Sequence, residues 1–242
     1  MIKKIFSNHM RFALLYFTML IVDVLVKLNL PAFPFRLISK PILLLLLFGC
    51  FYFNRKGDNK KKHLWMFLAL ASFFIGDLLI INHANIIFLS ASLFFFSIGK
   101  VFFCMKFSHK KDFKVSRLIP FTIILFCYVI SLVGFIYKDL GAFLIPALTS
   151  FFVTLLMFQF SYLRKEVFNK KSYVNVLFGV FLYTFSEGLM AIKTFKFDIP
   201  FQDFTIITFY GAAMYFIVYG TVSETEEELQ LEEKYSQEIK LF

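Results

Sequence analysis

The sequence predicts an all-α protein, a polytopic membrane bundle of about eight transmembrane helices with both termini cytoplasmic. Three observations lead there. Hydrophobic residues fill 59% of the 242 positions and charged residues 17%, with a mean hydropathy of +0.73. Apolar runs of membrane-spanning length occupy nearly the whole chain. Lys and Arg gather in the short segments between those runs, which is the orientation signal of membrane proteins.

The spans fall at about 12–30, 37–53, 64–81, 86–105, 118–137, 140–162, 173–193 and 204–222. Each holds 17 to 23 residues, which at ~1.5 Å per residue matches the roughly 30 Å of hydrocarbon. Backbone polar groups find no water in lipid, so runs of this length must be helical. The N-terminus resembles a signal peptide, but Asp23 and Lys27 interrupt its apolar stretch and no small-residue cleavage site follows. It reads as the first retained helix.

Basic residues set the orientation. The N-terminus has three (Lys3, Lys4, Arg11), the loop "RKGDNKKKH" five, the loop after the fourth span five and "RKEVFNKK" four. The opposite side has Arg36, Lys40, Lys138, Lys193 and Lys196. The first group belongs in the cytoplasm, and an even number of spans returns both termini to that side. The formal charge of +10 therefore implies no nucleic-acid groove. The expected location is the cell (inner) membrane. Residues 1–222 form the bundle, and 223–242, with seven Glu, form an acidic cytoplasmic tail. That tail reads as a solvated extension, although Leu231, Tyr235, Ile239 and Phe242 recur at helical spacing. Cys50, Cys104 and Cys127 lie in apolar runs without ligand spacing and read as buried small hydrophobes. The four His sit in loops or flanks, so no metal or cofactor is called for, and no Walker, dinucleotide or HExxH motif is present.

Charged groups inside spans carry the functional signal, since each costs at least ~2.5–3.5 kcal/mol at mid-membrane. Asp23, Lys27, Asp77, Lys100 and Glu187 qualify. Asp23 and Lys27, one turn apart, are spaced to pair with each other. Asp77 follows Gly76, with Ser72 one turn earlier, so close helix approach would keep it from lipid. It lies roughly 7–8 Å below the outer end of its span. Glu187 lies at ~9 Å in the same membrane half, sharing a face with Tyr183, Ser186 and Met190. Two carboxyls at one depth are candidates for a shared cavity. Lys100, roughly 22 Å down, has a stem long enough to snorkel to the cytoplasmic interface near Lys106. Lys40 reads as an interfacial anchor within reach of a phosphate.

Several segments, taken in order, resemble the YhhN family of lysoplasmalogenase-like membrane proteins. "SKPILLLLL" (residues 39–47) looks like the family's Lys-Pro opening of its second helix, and "FLALASFFIGDLLI" (67–80) like its Leu-Gly-Asp segment. "IPALTSFFVTLLM" (145–157) is similar to its Pro-led sixth helix, "GVFLYTFSEGLMAIKTF" (179–195) to its Ser-Asp segment, and "FYGAAMYFIVYG" (209–220) to its Tyr-containing last helix.

The resemblance implies an eight-helix bundle that hydrolyses the vinyl ether of lysoplasmalogens to a fatty aldehyde and a glycerophospho-headgroup, with no metal or cofactor. It implies Asp77 and Glu187 as the catalytic pair; Lys40, Lys100, Tyr183, Ser186 and Tyr210 are the candidate residues around a membrane-lipid or lysophospholipid substrate. Glu187 stands where the pattern often has Asp, and Lys100 and Phe103 stand where it usually has His and Tyr. A carboxyl in low dielectric retains its proton and suits a general acid, while a second carboxylate can stabilise an oxocarbenium or orient water. Alternatives are a non-catalytic lipid-binding, transporting or sensing member of the same bundle. Oligomeric state is left open.

Overall fold

The computed structural model describes residues 2–56, 60–109 and 115–225. A short helix α1 (Ile2–Ser7) precedes eight long ones: α2 (His9–Asn29), α3 (Ala32–Asn54), α4 (Lys60–Leu79), α5 (Ile86–Phe107), α6 (Val115–Leu140), α7 (Leu144–Leu163), α8 (Lys170–Phe195) and α9 (Gln202–Val222). Among the described residues seven stretches are long and apolar enough to cross a membrane. One of them, Leu118–Leu163, runs through most of α6 and all of α7. A single 3-10 turn, Gly141–Phe143, joins those two helices, and Gly141 opens it at φ +49°, a conformation that glycine adopts without a Cβ clash. The chain is thus an integral membrane protein with eight long helices among the described residues.

Asparagine caps fix where three of the long helices begin. Asn8 accepts from the backbone N–H groups of Met10 and Arg11, Asn85 from Ile87 and Asn169 from Ser172. Each supplies an acceptor that the first helical turn otherwise lacks. Hydropathy reads the apolar part of a helix, whereas the starts of α2, α5 and α8 follow from these caps.

Seven helices close a ring, in the order α2, α3, α4, α5, α7, α8, α9 and back to α2. The α6 helix lies outside it against α7 and α8, sealed by Leu132, Ile136 and Leu140 facing Ala147, Phe151 and Ala191. Its outer face carries Ile119, Ile123, Ile124 and Ile130, more than half exposed and suited to lipid. Cys127 is also exposed on this helix, a correction to its expected burial, whereas Cys50 and Cys104 are buried. Sequence spacing placed it in a span without saying that this span would lie outside the ring.

Small residues set the close approaches, as expected where lipid removes any hydrophobic drive between helices. A Cβ on Gly179 would stand 2.8 Å from the Ala213 carbonyl and the Ile217 nitrogen of α9, and one on Gly220 would stand 2.8 Å from the Val176 nitrogen of α8. On the α4–α5 seam, Gly76 faces the Phe96 ring and Gly99 the Phe73 ring. That contact keeps Asp77 off the lipid, at 1% exposure.

The start of α2 and the end of α9 meet at one end of the bundle, where the His9 and Tyr219 rings lie 5.2 Å apart. Links between the basic connections gather at that end too: Lys62 donates to the Ser108 carbonyl and Asn169 to the Ser223 carbonyl. Residues 226–242 of the expected acidic tail lie outside the described residues. Its first acid, Glu224, is buried at 3% exposure between Lys106 and Arg164, so the solvated tail does not begin at residue 223.

Candidate functional site

The opposite end of the ring is hollow. A cavity of about 460 Å³ is lined from all seven ring helices and holds Asp77, Glu187, Lys40, Tyr183, Ser186 and Tyr210 on its wall, within the roughly 300–1,000 Å³ usual for small-ligand sites. Leu43, Leu44, Leu93, Phe96, Phe151 and Met214 give it apolar sides. Its mouth is charged, with Lys27 and Lys193 both paired to Asp203 and with Arg36, Asp23, His83 and Asp198 nearby.

Asp77 projects from α4. Lys40 of α3 places its ammonium 2.7 Å from Oδ1 as an ion contact, and Tyr210 of α9 donates its hydroxyl to Oδ2 at 2.9 Å. Lys40 is 9% exposed, so the anchor expected in the interface is instead a buried counter-ion. Burial is tolerable because the opposite charge lies in direct contact.

Glu187 projects from α8 into a set of hydroxyls supplied by α7. Ser150 donates to Oε1 at 2.8 Å and Thr154 to Oε2 at 2.5 Å, one turn apart in "IPALTSFFVTLLM". Lys100 of α5 donates to Oε1 at 2.7 Å and also reaches the Ser150 carbonyl, the Ser150 hydroxyl and Thr154 Oγ1. Its exposure is 0%. The expected snorkelling towards Lys106 is therefore corrected: a carboxylate and three further oxygens inside the bundle satisfy the ammonium, so it does not extend to the interface. Lys100 stands behind Glu187 and is not among the cavity-lining residues.

Two tyrosines join these pairs. Lys40 lies over the Tyr210 ring at 5.5 Å and Lys100 over the Tyr183 ring at 5.9 Å, and the two ring centroids are 6.3 Å apart. Both are at cation–π range. Ser186 spends its hydroxyl on the Ile206 carbonyl of α9 at 2.9 Å, which holds α8 against α9 beside the site.

Asp23 and Lys27 do not pair with each other, which corrects the expectation from their spacing. Asp23 accepts from Ser39 at 2.5 Å and faces Arg36 of α3 at 3.8 Å, while Lys27 turns to Asp203 of α9 at 3.7 Å. Interhelical partners outcompete the turn-spaced one because they sit on the inward face. Sequence reading missed Arg36, Asp203, Ser150 and Thr154. Two hydroxyls one turn apart in an apolar span were the available signal for the last pair. Among the described residues no cluster of three or more His, Cys, Asp or Glu could hold a metal ion.

Comparison with curated proteins gives no match, and comparison with solved structures gives none either. The model of the YhhN family matches residues 35–221, from the first turns of α3 to the end of α9 and including both carboxylates and both of their lysines, and this chain belongs to that family.

Proposed function

We propose that this protein is a membrane-embedded lipid hydrolase that cleaves the vinyl ether of lysoplasmalogen-type lysophospholipids. The observation that carries the reading is that Asp77 and Glu187, on separate helices, line one cavity with apolar sides and a charged mouth. An amphiphile with a single chain matches that division, its chain among the leucines and its headgroup at the mouth.

The two carboxyls differ in a way that assigns roles. Glu187 accepts hydrogen bonds from Lys100, Ser150 and Thr154, so both of its oxygens serve as acceptors. It suits stabilisation of a cation or orientation of water. Asp77 has the smaller donor set and is the proton donor of the pair. When a substrate phosphate engages Lys40, Asp77 loses its counter-ion in a place where unpaired charge is costly, and the proton then resides on the carboxyl.

Delivery of that proton to the vinyl carbon distal to oxygen gives an oxocarbenium ion. Water adds to the cationic carbon and returns a proton to Asp77. The resulting hemiacetal collapses to a fatty aldehyde and the glycerophospho-alcohol, so one water is consumed and the enzyme is unchanged.

Detergent-solubilised protein is expected to release aldehyde from a lysoplasmenyl lipid, and Asp77→Asn to abolish that release. Wild-type protein inert towards every vinyl-ether or ether lysolipid would reject the proposal. A non-catalytic lipid-binding role is favoured by one observation, that each carboxylate already has its own lysine. In that case Asp77→Asn would leave lysolipid binding intact and no turnover would be found in either protein.

A further inference from the structure

Arg36 lies one turn before Lys40 on α3, is 8% exposed and lines the cavity. Its acid partner is Asp23, but the closest approach, 3.8 Å, is too long for a hydrogen bond. Asp23 is itself engaged by Ser39 at 2.5 Å. Arg36 Nε is buried with no partner, and so is Asp23 Oδ2. Guanidinium groups carry five donors in a fixed planar fork, and here none of them forms a hydrogen bond among the described residues. Leaving the buried Nε without an acceptor is costly, and the two terminal nitrogens, which are not enclosed, are open to an acceptor from the cavity. The placement of the fork on the wall of a cavity indicates that something entering the cavity completes it.

The chemistry of that ligand follows from the fork. Guanidinium matches the paired oxygens of phosphate or carboxylate, and Lys40, one turn away, adds a second cation at a Cβ spacing of roughly 5–6 Å. The cavity lining carries Lys27, Arg36, Lys40 and Lys193 against Asp23, Asp77, Glu187, Asp198 and Asp203, with His83 beside them. The acids outnumber the cations by one, so no positive field draws in a multiply charged anion. A singly charged phosphodiester held by local donors fits better. Apolar walls directly below the fork require that the phosphate bring a hydrocarbon chain with it.

We propose that Arg36, together with Lys40, binds the phosphate of a single-chain amphiphile whose chain fills the cavity. This deepens the lipid-hydrolase reading and rests on its assignment of the cavity to a lysolipid.

The test uses ligands that cannot be cleaved by vinyl-ether chemistry. Binding of a saturated ester-linked lysophosphatidylethanolamine, of the matching monoacylglycerol without phosphate and of inorganic phosphate is measured on the full chain in detergent, for wild type, Arg36→Gln and Arg36→Lys. Wild type is expected to prefer the lysophospholipid over the monoacylglycerol. Arg36→Gln should lose roughly ten- to hundredfold of the lysophospholipid affinity and none of the monoacylglycerol affinity. Arg36→Lys, which keeps the charge without the fork, should fall between and serves where the Gln variant does not fold. Inorganic phosphate is expected to compete weakly.

Equal binding of both lipids, or unchanged lysophospholipid binding in a folded Arg36 variant, overturns the proposal. Inorganic phosphate binding as tightly as the lysolipid overturns the headgroup source. Loss of aldehyde release alone leaves these binding results standing, and aldehyde release that survives Arg36→Gln with unchanged binding removes Arg36 without touching the hydrolase.

Discussion

Lys100 Nζ lies 2.7 Å from Glu187 Oε1, joining α5 to α8 through a cation with 0% exposure. The family resemblance places this Lys where His is usual. Its long stem crosses to the α7 hydroxyls and reaches all three oxygens of the Ser150–Thr154 set. The lysine thus gives Glu187 an ion-pair partner that is itself held by three further oxygens.

Removing one member of that pair isolates a buried charge. Lys100→Met is expected to destabilise the protein by about 3–5 kcal/mol, and Lys100→Met combined with Glu187→Met to recover most of the loss. Unfolding in detergent of the two single variants and the double variant measures the coupling. Additive losses would mean the pair holds nothing together.

Tyr210 donates to Asp77 at 2.9 Å and packs near Phe73 and Tyr183. Tyr210→Phe keeps the ring and deletes that one donor. Hydrogen bonds to charged groups contribute about 1.5–3 kcal/mol to stability, so the unfolding temperature should drop by a few degrees, and aldehyde release by the folded variant should fall roughly tenfold or more as Asp77 loses its fixed orientation. Unchanged turnover would detach Tyr210 from the chemistry.

How much of this was legible in the chain depends on which property a residue reveals. Asp77 and Glu187 announce themselves because a charge within twenty apolar neighbours has no cheap explanation. Arg36 and Lys40 do not, because basic residues at span ends are ordinary interface markers, and inward or outward rotation of α3 is a tertiary fact. Asp23 and Lys27 were spaced to pair, but periodicity gives a face and not the helix packed against it. The count of eight long helices follows from run length, whereas the exclusion of α6 from the ring follows from packing that no single span encodes.

Glycine contacts give a test of that packing. A Cβ at Gly179 meets α9 backbone at 2.8 Å, which cannot swing away as a side chain can, whereas Gly134 on α6 has nothing within 4 Å. Gly179→Ala should cost about 1–3 kcal/mol by forcing α8 from α9, and Gly134→Ala should be neutral or slightly stabilising through helix propensity. Equal effects would argue against a tight α8–α9 seam.

At the far end of the bundle Glu224 offers a pH dependence whose sign can be worked out. Burial alone would raise its carboxyl, but Lys106 and Arg164, at 2.8 and 3.0 Å, outweigh burial and hold it below the ordinary value of 4.5. The folded protein therefore binds this proton less readily than the unfolded chain does. Stability from the contact is complete above the unfolded value and drains away as pH falls from about 4.5 through the lower folded value. Glu224→Gln leaves two cations buried without their acid and should cost about 3 kcal/mol or more at neutral pH. Its stability curve should converge on that of wild type as both are taken to acid, because there the wild-type carboxyl is neutral too. Unfolding of the two proteins between pH 7 and pH 3 reads the difference directly and cancels the titration of every other group. Curves that stay parallel across that range would mean that the Glu224 charge contributes nothing to holding the end of α9 against α5 and the α7–α8 connection.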